Sequence, residues 1–194
     1  MKKIIYFIEF TIISLFFIIC KLAGYRLASN FGFYIGKTIG KNFRSKKSII
    51  QNLKKSKIQI KISENKFANN VLSNYGRILA EYPFLKDFRN DKLSRYIEID
   101  GFENLQIIKK NNKPVVFISG HFSNFELMAM QIEKSGINLA AIYRPLNNIF
   151  LNKTMEKIRI NYICKNQIKK GRSGTRQILE NLKKGNSIAL MIDQ

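Results

Sequence analysis

From residue 114 onward the chain repeats one pattern: a short apolar run, a turn, then a segment of helical length. The runs are Val115–Ile118, Leu139–Tyr143 and Ser187–Ile192, and the helical segments are Phe125–Lys134, Ile149–Arg159 and Thr175–Lys184. An earlier pair, Tyr96–Ile99 and Phe102–Lys109, reads the same way. Such runs are apolar on both faces, which suits strands covered on both sides. Alternation of strand and helix predicts an α/β fold, a mixed and largely parallel sheet flanked by helices. Gly185 closes the last helix as a left-handed cap.

The N-terminus carries a different signal. Lys2 and Lys3 precede a run from Ile4 to Cys20 that is apolar apart from a few small polar residues and Glu9, and Lys21 and Arg26 follow it. A bilayer-spanning helix needs about 20 residues for a core of about 30 Å. The bulky Phe and Ile residues and the lack of a small-x-small cleavage site favour a retained anchor over a signal peptide. Glu9 favours a helix lying in the interface over one that spans, because a midplane carboxylate is costly. Gly24 to Gly40 mixes glycine with Phe31, Phe33 and Tyr34, as an interfacial helix or turn does. Lys41 to Lys61 is densely basic, and Phe67 to Tyr82 has helical spacing that Pro83 ends. The expected organisation is an anchor at 1–24, a basic, mainly helical membrane-proximal region at 25–95, and a catalytic α/β region at 96–194. A domain rarely stops on a buried strand, so the α/β region reads as C-terminally truncated.

With 34 Lys and Arg against 13 Asp and Glu, the formal net charge is +21. That surface attracts phosphates, on nucleic acid or on anionic lipid; an A/T-rich coding bias toward Lys, Ile and Asn also contributes. Cys20 and Cys164 are far apart, which excludes a disulfide framework or zinc ribbon.

The chain has one histidine, His121, in Ser119-Gly120-His121-Phe122-Ser123-Asn124-Phe125-Glu126. One imidazole excludes any metal site that needs two, and no metal or other cofactor is expected. Imidazole changes charge between about pH 5 and 8, which suits a general base near neutrality. Glu126 lies five residues on. In a continuous helix five residues rotate a side chain about 140° away. The two can share a site only if His121 sits in the turn before a helix that starts near Ser123 or Asn124. Arg144, in Tyr143-Arg144-Pro145, falls at the end of the next strand, where an arginine can grip phosphate or carboxylate. Lys169 to Arg176 forms a glycine-punctuated basic loop opening a helix, with Arg172 available to an anion. Asp193 ends the last strand, where α/β ligand sites lie. Walker A, Gly-x-Ser-x-Gly and Gly-x-Gly-x-x-Gly motifs are absent, which argues against nucleotide cofactors and serine hydrolysis of the α/β type.

Gly-His-Phe-Ser-Asn-Phe-Glu at 120–126 resembles the His-x4-acid motif of the glycerolipid acyltransferase superfamily. It is most similar to the Gly-His-x-Gly-Asn-Trp-Glu version in bacterial lipid A biosynthesis (lauroyl/myristoyl) acyltransferases. Tyr143-Arg144-Pro145 resembles that family's second block; Gly171-Arg172, the helix closed by Gly185, and Asp193-Gln194 resemble its third. Ser123 stands where the family often has Gly, and Phe125 where it often has Trp. The resemblance implies acyl transfer from an acyl-carrier-protein thioester to a hydroxyl of a phosphorylated glycolipid, a lipid A precursor, at the cytoplasmic side of the bacterial inner membrane. It implies His121 as base, Glu126 as acceptor of a ring N–H, Arg144 on a substrate phosphate or the oxyanion, Asn124 as an oxyanion or substrate contact, and no nucleic-acid partner. Two other readings stay open: an acyltransferase for another glycolipid or a lysophospholipid, and a non-catalytic basic membrane or RNA-binding protein.

Overall fold

The computed structural model describes residues 1–193; Gln194 of the third block lies outside the described residues. The chain divides into two compact units, one built from Ile12–Phe84 and the other from Met1–Thr11 with Leu85 onward. Helix α1, Lys2–Ala23, gives its first half to the second of these and the rest to the first. It is long and apolar enough to cross a membrane.

In the helical unit, α2 (Tyr25–Ile39), α3 (Lys46–Ser56) and α4 (Glu64–Glu81) follow. Ser45 and Ser63 cap α3 and α4 through their hydroxyls, at 3.4 and 3.3 Å from the Ser48 and Lys66 amides. The glycines that suggest an interfacial segment have another task. Gly32 and Gly36 of α2 meet Gly76 of α4 so closely that a Cβ at Gly32 would lie 2.5 Å from the Gly76 carbonyl and 2.6 Å from the Ala80 Cβ. Buried beside this seam, Glu81 accepts from the Ser29 hydroxyl at 2.8 Å.

The other unit continues with α5 (Leu85–Arg89) and α6 (Phe102–Asn111). Tyr96–Ile99, expected as a strand, is not one. Ser94–Tyr96 is a 3-10 turn, Ile97 after it is extended, and the chain turns at Asp100-Gly101 into α6. Its alternating Ile97 and Ile99 face no strand partner, and Ile99 is exposed. Then come β1 (Val116–Ser119), α7 (Phe125–Lys134), β2 (Leu139–Tyr143), α8 (Ile149–Tyr162), β3 (Asn166–Lys169), α9 (Arg172–Lys183) and β4 (Ser187–Met191). β3 is absent from the sequence reading because Asn-Gln-Ile-Lys holds one apolar residue, Ile168, which alone of the four is buried. The four strands are all parallel, in the order β1-β4-β2-β3, with Val116 opposite Ile188 and Ala140 opposite both Ile188 and Asn166. β4 inserts between β1 and β2, so the loops after β1 and β4 emerge side by side at the carboxyl edge. Ala140, Ile168 and Ile188 form the buried centre under Ile178 and Leu182 of α9.

Candidate active site

The carboxyl edge of the sheet carries a cavity of about 540 Å³. One part of its wall is apolar, with Phe125, Ala129, Ile142, Ile178 and Leu190; another is basic, with Arg144, Arg159, Lys169 and Lys170. His121 and Glu126 both line it. The geometric condition set by their spacing is met: α7 begins at Phe125 with Asn124 as its N-cap, and His121 lies in the loop before it. That loop turns at Ser123, whose φ of 45° is in the left-handed region. A residue with a Cβ is strained there and a glycine would not be. The His121 ring then packs edge-on against Phe125, centroids 4.6 Å apart.

Asp193 seats the imidazole. Its Oδ1 is 2.7 Å from His121 Nδ1, and its Oδ2 accepts the His121 backbone N–H at 2.8 Å. The adjacency of β1 and β4 creates this pair from residues 72 apart. The backbone N–H, with the ring nitrogen adding to it, holds the Asp193 carboxyl below the ordinary aspartate value. An ionised Asp193 makes Nδ1 the protonated nitrogen and leaves the Nε2 lone pair available.

Glu126, which the sequence reading pairs with the imidazole, is buried in the first turn of α7 and engages Arg159 of α8. Arg159 Nε and Nη2 lie 2.9 and 2.8 Å from the same Glu126 oxygen. The Arg159 guanidinium also covers the Tyr143 ring at 5.7 Å. The Tyr143 hydroxyl donates to Glu156, and Lys169 Nζ sits 3.2 Å from that carboxylate. Burial first, then Glu156, raises the Tyr143 phenol well above its ordinary range, so it stays a donor. Arg159, Glu156 and Asn152 lie three and four residues apart, on one face of α8. Nothing in sequence spacing marks Arg159, Tyr143 or Glu156 as partners, because strand pairing and helix facing bring them together.

Arg144 lines the cavity directly after β2. Arg172, exposed, opens α9 beside Gly171, a lining residue. Asn124 holds the N-cap position of α7. Among the described residues no cluster of His, Cys, Asp and Glu could hold a metal ion.

The parallel α/β unit thus sets a carboxylate-held histidine beside a cavity with apolar and basic walls. The family described as bacterial lipid A biosynthesis acyltransferase matches residues 1–194, and the chain belongs to it. It is therefore an acyltransferase of lipid A biosynthesis, and that family together with α1 points to a membrane protein. No curated protein matches the chain.

Proposed function

We propose that the protein moves a fatty acyl chain from an acyl-carrier-protein thioester to a hydroxyl of a phosphorylated lipid A precursor at the cytoplasmic face of the inner membrane. The observation that carries this reading is the 2.7 Å contact between His121 Nδ1 and Asp193, made at the rim of a cavity with apolar and basic walls. His121 Nε2 takes the proton of the acceptor hydroxyl as that oxygen attacks the thioester carbonyl. A tetrahedral oxyanion forms, and the carbon–sulfur bond then breaks. The imidazolium returns the proton to the departing thiolate. Asp193 fixes the productive tautomer and stabilises the imidazolium. Glu126, held by Arg159, shapes the same cavity wall that the imidazole faces. Arg144 serves the oxyanion or a substrate phosphate, Arg172 and Lys170 draw anionic headgroups, and Asn124 contacts substrate at the α7 N-terminus. The apolar wall takes the acyl chain.

The test is mass spectrometry of a lipid A precursor incubated with acyl-carrier thioester and the full chain. Acyl addition is expected with the wild type. His121→Ala should lower turnover by about 10²–10⁴, the usual worth of a general base, with membrane association retained. RNA binding with a steep salt dependence and no acyl product would instead favour the basic binding-protein reading.

A further inference from the structure

Among the polar contacts of α1, one pair ties it to the cavity wall. Asn148, buried, is the N-cap of α8 and uses both ends of its amide. Its Oδ1 accepts from the Phe150 and Leu151 amides at 3.1 and 3.2 Å. Its Nδ2 donates to the Tyr6 carbonyl at 2.8 Å and to Glu9 Oε2 at 2.9 Å. Turning the amide over would break all four contacts, so its orientation is determined. Phe150, in the first turn of α8, packs against Phe7 and Phe10 of α1, with centroids 5.8 and 6.0 Å away. The one carboxylate in the apolar run, though partly open, meets the residue that starts α8. Eleven residues after Asn148 comes Arg159, which holds Glu126. At about 1.5 Å per residue, α8 is a lever of about 16 Å from latch to ion pair.

We propose that Glu9 and Asn148 form a latch that makes α1 a working part of the catalytic unit, with Asn148 a positioning residue for Arg159 and Glu126. The proposal deepens the acyltransfer reading and rests on it for its kinetic arm. A helix fastened this way over Met1–Thr11 keeps only Ile12–Ala23 for any crossing, fewer than the about 20 residues a bilayer core demands. The latch therefore favours α1 lying along the membrane face, its exposed Ile4, Ile5 and Ile8 turned to lipid.

Glu9→Leu separates an anchor from a latch. It makes α1 more apolar, so sedimentation with phosphatidylethanolamine/phosphatidylglycerol vesicles should be equal or stronger. A simple anchor would keep or gain activity. The latch predicts kcat lower by about tenfold or more at little change in KM, because small misplacement of a cavity wall is costly. It also predicts faster amide exchange in the first turn of α8. Asn148→Asp keeps the capping oxygen and removes the two donors, and should match that phenotype. Adding Glu9→Gln to Asn148→Asp restores a donor from the other side and should recover kcat and exchange protection. Unchanged exchange and kcat in Glu9→Leu, or no recovery in the double variant while each protein melts cooperatively, would overturn the latch. The exchange arm needs no substrate. A wild type that transfers no acyl group but loses α8 protection in Glu9→Leu would sink the acyltransfer reading and leave the latch standing.

Discussion

The seam between α2 and α4 and the wall between α7 and α8 solve opposite problems. At the seam, side chains are removed until backbones touch at Gly32, Gly36 and Gly76. At the wall, long charged side chains span the gap between the helices beside a cavity, with the Glu126–Arg159 pair as the strut. Close packing tolerates no added atom, and a cavity wall tolerates no missing charge. The two should therefore fail in different ways.

The largest expected effect is at the wall. Arg159→Ala leaves the buried Glu126 carboxylate without its guanidinium and should destabilise the protein by about 3–5 kcal/mol. Replacing the pair with Arg159→Met and Glu126→Leu removes both charges together. Chemical denaturation should then show most of that stability restored, although turnover stays low. Loss of equal size in the single and double variants would mean that the pair is not a strut. At the seam, Gly76→Ala tests close approach. Alanine normally gains about 1 kcal/mol over glycine inside a helix. Here the new Cβ would meet Gly36 N at 2.7 Å and Gly36 Cα at 2.8 Å, so overpacking should win and destabilise by about 1–3 kcal/mol. A rise in melting temperature would break the comparison.

These two places also differ in how much of them the chain announces. The parallel sheet is legible because Val115–Ile118, Leu139–Tyr143 and Ser187–Ile192 are apolar runs alternating with helices, although the expected cover on both faces fails at β1, an edge strand whose Val116 and Ile118 are exposed. β3 is not, since one buried isoleucine in four residues carries no period. Tyr96–Ile99 has the alternation of a strand and no strand to pair with. His121, Glu126 and Arg144 are legible as neighbours of one edge because each follows, or nearly follows, a strand. The partner of the imidazole is not: five residues separate His121 from Glu126, yet the bond at Nδ1 comes from Asp193 across two adjacent strand ends. Strand order, which local sequence does not encode, decides that. The glycines of α2 are visible as a pattern, but glycine suits both a membrane surface and a helix seam, and only the facing Gly76 distinguishes them.

A smaller effect is expected where the backbone itself is strained. Ser123 holds φ at 45° in the turn that aims His121. Ser123→Gly relieves a left-handed side-chain clash and should raise stability by about 1 kcal/mol. A thermal melt checks it, with acyl transfer retained as the sign that the turn still delivers the imidazole.

The smallest effect concerns Asp193, and its sign follows from its partners. Because the His121 N–H groups hold its carboxyl below the ordinary aspartate value, the folded state binds this proton less readily than the unfolded chain does. The contribution is present above about pH 4, the unfolded aspartate range, and is lost as pH falls through the lower folded value. The side chain is 40% exposed, so solvent screens the interaction and the gain is slight. Asp193→Asn removes that titration: its stability should fall less steeply than the wild type's between about pH 4 and pH 2. Its turnover at neutral pH should fall much further than its stability, because an amide no longer selects the Nδ1–H tautomer. Glu126→Gln should show the reverse ratio, costing stability through Arg159 more than it costs the tautomer. If the two variants instead lost turnover and stability in the same proportion, the two carboxylates would share one role, and the distinction between an imidazole holder and a wall strut would fail.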